Sequence, residues 1–283
     1  MSNVLRRRAA WPVVVFAAVL ACEGTAQAKV IDGTPGNDLI RGSRVADQIN
    51  GEAGNDKVWA RAGDDAVLGG LGDDVLIGGL GNDTMNGLQG ADILRGGPGD
   101  DSLTGDVPNV GDLVSPDKLW GGAGDDTLNG GDGNDWLFGG PGNDVSHGNA
   151  GDDLMRGGTG DDQQDGGPGN DTIFAAGGND VTHGGAGDDQ LWALARRDVQ
   201  GPHDFTGDTV YGDEGNDTIH TRDGERDIVY CGPGVDTALL DFKDAIGDAT
   251  AQNPNGSCEV VSRHRPRRGE DRQEVAPPPP EQG

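Results

Sequence analysis

The sequence is poor in the residues that build ordinary cores. Aromatics make up 4% of its 283 residues, with 2 Tyr, 5 Trp and 5 Phe, and there are only 3 Met and 3 Cys. Basic residues are scarce too: 21 Lys and Arg stand against 49 Asp and Glu, a formal net charge of −28. That balance disfavours nucleic acid and anionic membranes and draws multivalent cations. Neither HExxH nor GxSxG occurs, and each of the 5 histidines is followed by Gly, Asp, Thr or Arg. Two common hydrolase signatures are therefore missing, and the expectation is a protein that is not an enzyme. Past Cys22 there is no apolar run approaching the roughly 18 residues that cross a bilayer.

The one long apolar stretch stands at the start. Arg6, Arg7 and Arg8 precede "AAWPVVVFAAVLA", and "AQA" at 26–28 offers a small-residue cleavage site. This pattern predicts a secretory signal over 1–28 and an extracellular protein. "VLAC" ending at Cys22 leaves a second outcome open, lipid anchoring at that cysteine. Export places Cys231 and Cys258 where disulfides persist, and they are expected to pair. The tail 263–283, "RHRPRRGEDRQEVAPPPPEQG", has basic, acidic and polyproline letters without an apolar period and reads as disordered.

What the chain has in abundance is glycine, 53 residues of it, and aspartate at a fixed period. The sixth letter of successive nine-residue rows is Asp38, Asp47, Asp56, Asp65, Asp74, Asp83, Asp92 and Asp101. The series resumes at Asp117 and runs through Asp126, Asp135, Asp144, Asp153, Asp162, Asp171, Asp180, Asp189 and Asp198, and looser rows end in Asp208, Asp217, Asp227 and Asp236. A repeat of this kind fixes architecture before propensity does, and its extent, over 29–239, leaves no room for a second core. Full GGxGxD rows begin at Gly69, Gly78, Gly96, Gly121, Gly130, Gly139, Gly157, Gly166 and Gly184. Each GGxGxD is a turn, because glycine permits positive φ and close backbone approach. The three residues after it, centred on Leu76, Met85, Leu103, Leu128, Leu137 or Ile173, make a short strand.

These rows resemble the RTX, or hemolysin-type, calcium-binding nonapeptide repeat family. The resemblance implies an all-β fold, a parallel β-roll of about ten coils in which two rows complete a coil, alternate rows lie on opposite sheets and calcium sits in the turns. It implies multiple Ca2+ ions held through Asp38, Asp56, Asp65, Asp74, Asp83, Asp92, Asp101, Asp126, Asp135, Asp144, Asp153, Asp162, Asp171, Asp180, Asp189 and Asp217, with carbonyls from the turns. The residues themselves agree. Stacked strands lie about 4.8 Å apart, where two carboxylates repel by roughly 1 kcal/mol in water and about 3 at a surface dielectric. A ladder of them needs cations between its rungs, and calcium suits it as a hard ion that accepts carbonyl oxygens in flexible geometry. Turn propensity alone explains one or two rows, not Asp at one place in every row.

Some rows depart from the pattern. Residues 105–120 carry a row with extra letters, expected as a loop extruded near 105–116, and the rows near 193–211 are irregular. Rows at Gly42 and Ala60 lack the double glycine, and the turns before Asp47 and Asp198 lack the fourth; weak or empty calcium sites are expected in all of these. "RDIVYCGPGVDTALLDFKDAI" with "CEVV" resembles a closing segment of exported bacterial members of the family. It implies a cap over 240–262, pinned by a Cys231–Cys258 disulfide worth roughly 3 to 4 kcal/mol. Enzymes of the family carry a separate catalytic domain ahead of the repeats, whereas here four residues lie between the expected cleavage site and Gly33.

If alternate rows share a sheet, residues eighteen apart are neighbours. Inward, Ser146, Gln164, Thr182 and Gln200 then face Leu137, Met155, Ile173 and Leu191, a half-polar core expected to form a side-chain hydrogen-bond ladder; a local shift turning Val145, Val181 and Val199 inward is the competing arrangement. Outward, one face reads Arg41, Trp59, Ile77, Arg95, Trp120, Phe138, Arg156, Phe174, Trp192, Tyr211, Tyr230. Its aromatic members, Trp59, Trp120, Phe138, Phe174, Trp192, Tyr211 and Tyr230, form a candidate partner surface for a glycan, the cell envelope or a second copy. The other face reads Asn50, Leu68, Asn86, Thr104, Asn129, His147, Asp165, His183. There, "TMN" at 84, "SLT" at 102 and "TLN" at 127 raise ice binding, and His147, Asp165 and His183 raise zinc, though parallel side chains converge poorly.

Overall fold

A computed structural model describes residues 27–106, 115–193, 207–248, 253 and 256–264. Two parallel sheets of 12 strands each face one another, and successive strands alternate between them. The first sheet begins with Val30–Thr34 and the second with Leu39–Arg41. Most strands are six residues long because the extended x-U-x segment continues into the first half of the next turn, as in Thr127–Asp132 and Trp136–Pro141. Pairing is in register, with Leu128 opposite Ser146 and Leu137 opposite Met155. The turn glycines have a steric reason: at Gly140 (φ +123°) and Gly142 (φ +143°) an added Cβ would overlap the carbonyl of Gly122 or Gly124 in the preceding coil.

The core is a single column of inward side chains from each sheet. Val58, Leu76, Leu94, Leu119, Leu137, Met155, Ile173, Leu191 and Ile219 come from the second sheet, and Ile49, Val67, Met85, Leu103 and Leu128 from the first, all buried. Ser146, Gln164 and Thr182 also point inward, each 2% exposed, so the shift that would bury Val181 does not occur: Val181 is 36% exposed. The expected hydrogen-bond ladder does not form. Ser146 Oγ, both amide atoms of Gln164 and Thr182 Oγ1 lack any partner, because a hydroxyl on a short side chain cannot span a rung spacing of about 4.8 Å. Gln200 lies outside the described residues, and Val210 occupies the next rung.

One correction of register follows. Ser102–Thr104 and Lys118–Ala123 flank the long row at 105–120 in opposite sheets, and 107–114, where the extruded loop was expected, lie outside the described residues. The next described strand after Gln190–Trp192, however, is Thr209–Glu214 of the first sheet, where counting placed a further row between them; 194–206 lie outside the described residues. Asp180 reaches Asp208 across 28 residues where regular rungs span 18. Asp198 lies outside the described residues, and the strands after it fall on the sheet opposite to the one that counting assigned. Trp192 pairs with His220, and Tyr211 and Tyr230 continue the first sheet after His183. The aromatic series is thus split between two faces.

The sheets also run past the repeat rows at both ends. Val30–Thr34 precedes the first full row, while Ala245–Ile246 and Val260–Arg263 of the closing segment add a rung to each sheet. Cys231 and Cys258 are bonded, with Cα atoms 5.1 Å apart, which ties the segment leading into Val260–Arg263 to the last regular coils.

Candidate metal centre

Each Asp stands where the chain leaves a turn and enters a strand, so the aspartates of alternate rows stack along the two edges of the roll. One edge carries Asp38, Asp56, Asp74, Asp92, Asp117, Asp135, Asp153, Asp171, Asp189, Asp217 and Asp236; the other carries Asp47, Asp65, Asp83, Asp101, Asp126, Asp144, Asp162, Asp180, Asp208 and Asp227. Along both edges the amide of one Asp donates to Oδ1 of the Asp one coil on, at 2.6 to 2.9 Å. The interruption before Asp117 does not break the ladder, and Asp117 is fully buried.

The ladders end on residues that period counting could not find. The amide of Asp236 donates to Glu259 Oε2 at 2.9 Å, and that of Asp227 approaches Asp244 Oδ1 at 3.5 Å. Glu259 and Asp244 lie 23 and 17 residues on, off the nine-residue period. The Glu of "CEVV" thus serves as the final rung of one edge.

The second carboxylate oxygen is the chemically unusual one. At Asp56, Asp65, Asp74, Asp83, Asp92, Asp101, Asp117, Asp126, Asp135, Asp144, Asp153, Asp162, Asp171 and Asp189, and again at Asp217, Asp227 and Asp236, the ladder Oδ2 is buried without a hydrogen-bond partner. In the turns that begin with glycine it lies against that residue: a Cβ on Gly139 would overlap Asp144 Oδ2, and one on Gly121 would overlap Asp126 Oδ2. The missing side chain therefore makes room for an anionic oxygen and whatever it binds. Burial pushes these carboxyls up, against a downward pull from the backbone amide on Oδ1, with neighbouring carboxylates adding to the rise: Asp83 to about 7, Asp92 to about 8, Asp117 to about 9 and Asp153 to about 8. Buried anions this poorly matched take up either protons or cations.

The first two turns are built differently. Thr34 and Ser43 occupy the second turn position, where the later turns carry glycine or a non-glycine residue with positive φ such as Arg61 (φ 95°) or Leu88 (φ 77°). Thr34 donates its amide to Asp38 Oδ2 at 2.6 Å and its hydroxyl at 2.9 Å; Ser43 donates its amide to Asp47 Oδ2 at 2.5 Å and its hydroxyl to Oδ1 at 3.1 Å. Protein donors thus satisfy in these two turns the oxygen left open in the others. Thr and Ser at that place were visible in the sequence as departures from glycine; what they replace was not.

The donor set discriminates among metals. Among the described residues no group of three or more His, Cys, Asp or Glu is placed to hold an ion, so a cation at a turn must take most of its ligands from backbone carbonyls. That excludes the nitrogen and sulfur sets of zinc and fits calcium. Zinc at His147, Asp165 and His183 fails on geometry as well: His147 Nδ1 is 3.8 Å from Asp165 Oδ2, while His183 Nδ1 turns to Asp213 Oδ2 at 2.9 Å. When bound, calcium neutralises the carboxylates and links successive turns; the glycines leave space, and the Asp amides hold each carboxylate in place.

The fold and these edges define a repeat solenoid with calcium-binding turns. The RTX calcium-binding nonapeptide repeat model matches residues 32–67, 42–76, 77–107, 116–146, 133–164, 147–181, 156–191 and 206–238, and the chain belongs to that family. Comparison with curated proteins returns no match.

The outward residues of the second sheet do form one stripe. Arg41, Trp59, Ile77, Arg95, Trp120, Phe138, Arg156, Phe174 and Trp192 pair in sequence. Trp120 and Phe138 stack at 5.7 Å, as do Phe174 and Trp192 at 4.8 Å, while Arg41 and Arg95 cover Trp59 and Trp120. The rings therefore spend their faces on one another and on guanidinium groups and present edges to solvent. Phe174 is only 8% exposed. Tyr211 and Tyr230 make a separate stack with His183 on the first sheet.

Proposed function

We propose that this is an exported, non-enzymatic protein that folds on calcium and presents the aromatic and arginine face of its second sheet to a partner. The observation that supports it most is the row of buried Asp Oδ2 atoms without partners, repeated through the coils. A net charge of −28 with little large apolar surface resembles the composition of a disordered chain, so the ions that join the coils contribute folding energy directly. Export draws support from the Arg-led apolar start, which lies outside the described residues, from "AQA" at 26–28, and from the disulfide. Lipid anchoring at Cys22 is the competing form of export. The absence of hydrolase signatures supports a non-enzymatic role.

Calcium-dependent compaction tests this. Small-angle scattering should report an extended chain in chelator and a compact rod in calcium, and a hydrolase screen should stay blank in both. A rod in chelator, or turnover that calcium switches on, overturns it.

Ice binding remains a second reading because Thr84, Ser102 and Thr127 stack in register, with Asn86, Thr104 and Asn129 beside them. An assay of ice recrystallisation separates it from partner binding.

A further inference from the structure

The two outer faces of the roll segregate charge by sign. Among the described residues, the outward positions of the second sheet carry Arg41, Lys57, Arg95, Lys118 and Arg156 and no acidic residue from Leu39 to Leu239. Those of the first sheet carry Asp32 and Asp165, joined by Glu52 and Asp213 against Asn50 and His183, and among the described residues neither Lys nor Arg. In a chain of charge −28, one face alone is cationic.

That face is also aliphatic. Beside the Trp59 to Phe138 stripe runs a second outward column, in which Val75, Ile93, Trp136 and Leu154 are all partly exposed. Lys118 Nζ sits 4.7 Å from the Trp136 ring. From Leu39 to Leu154 the strands span roughly 30 Å at about 4.8 Å a rung, a flat patch longer than a soluble monomer usually leaves uncovered. His220 does not add charge, since burial and then Arg222 push it down to about 4.

Three partners were open for this face, and the chemistry separates them. A sugar needs an open ring face, and stacking has taken those of Trp120, Phe138 and Trp192. A second copy docked face to face would set the same five cations against themselves. Its first sheet offers in return only Asp32 and Glu52 near one end of the roll and Asp165 and Asp213 towards the other, out of step with those cations. An anionic bilayer supplies what the face lacks, phosphate for the basic side chains and acyl chain for Ile, Leu, Val and ring edges. Arg and Lys suit that boundary because their stems lie on apolar surface while their heads reach the phosphates.

We infer that the second sheet's outer face is a docking surface for a membrane bearing anionic phospholipid, which rests on the partner-binding reading above and names the partner. The calcium ladders along both edges reinforce it by neutralising the acidic turns that flank the face.

The test is sedimentation of the full chain, calcium-loaded, with phosphatidylglycerol–phosphatidylcholine vesicles and with phosphatidylcholine vesicles alone. Binding to the first only is expected, weakened about 30-fold in Arg95→Gln/Arg156→Gln, roughly fivefold per basic side chain removed, with the calcium-loaded circular dichroism unchanged. Trp120→Ser/Trp136→Ser is the second probe and should weaken binding without altering charge. No binding, or binding that both variants leave intact, overturns the proposal, the latter pointing to residues 1–26 or to calcium bridging from the turns. Self-association abolished by the same variants, without lipid binding, assigns the face to a second copy and leaves the wider partner reading standing. A chain that calcium does not fold defeats that wider reading first.

Discussion

The amide of Asp126 donates to Oδ1 of Asp144 at 2.8 Å, one coil away, while Oδ2 of Asp144 is buried with no partner. The same division of labour recurs along both edges, one oxygen fixing the rung and the other left for a cation. Asp144→Asn should keep the Oδ1 bond, lose the charge and raise the calcium midpoint of folding several-fold. Asp38→Asn should not, because Thr34 already serves Asp38 Oδ2. Equilibrium dialysis with radioactive calcium on both variants decides it, and equal losses would refute the distinction.

The raised carboxyls give a direction with pH. An Asp whose folded pKa lies above its unfolded value of about 3.9 stabilises the metal-free roll below that value and loses the contribution as pH rises through the folded pKa. For Asp74 and Asp101 at about 6, Asp83 at about 7, Asp92 at about 8 and Asp117 at about 9, the loss begins near pH 4, where the unfolded chain ionises, and is complete by about pH 9. Without calcium the roll should gain β structure on acidification. Calcium binding near neutrality should release protons, visible in calorimetry as an enthalpy that changes with the buffer.

How far the sequence carried this depends on where its period held. Asp56 to Asp189 could be assigned to a turn, an edge and a ligand role by counting nines, because in a solenoid each row meets only its neighbours one coil away. The same counting misplaced Tyr211 and Tyr230: Trp192 lies in the second sheet and the next described strand, Thr209–Glu214, in the first, an exchange that the nine-residue period does not record. Glu259 and Asp244 were out of reach for another reason, since they join the ladders through pairing of non-repeat strands. The failed bonding of Ser146, Gln164 and Thr182 depended on side-chain reach, which a pattern of letters does not contain.

Gln164 leads to a stability prediction. Both its amide atoms are buried and unpaired, a cost of about 1 to 3 kcal/mol that an apolar side chain of similar size does not incur. Gln164→Leu should raise the thermal midpoint of the calcium-loaded protein. A lower midpoint would mean that the amide has partners inside the roll.

The disulfide between Cys231 and Cys258 closes a segment with a sequence separation of 27. Cys231→Ser/Cys258→Ser should lower the stability of the calcium-loaded roll by about 3 to 4 kcal/mol and raise the calcium needed to fold it. Thermal melts of the two proteins at one calcium concentration measure this directly.

The central claim is that the roll depends on its cations. Far-ultraviolet circular dichroism of the full chain across a calcium titration tests it most directly. A coil spectrum in chelator that converts to β structure at millimolar calcium is predicted, with magnesium at equal concentration failing to replace it because its strict octahedron suits the carbonyl-rich turns poorly. The same β spectrum with and without calcium at neutral pH would contradict the account.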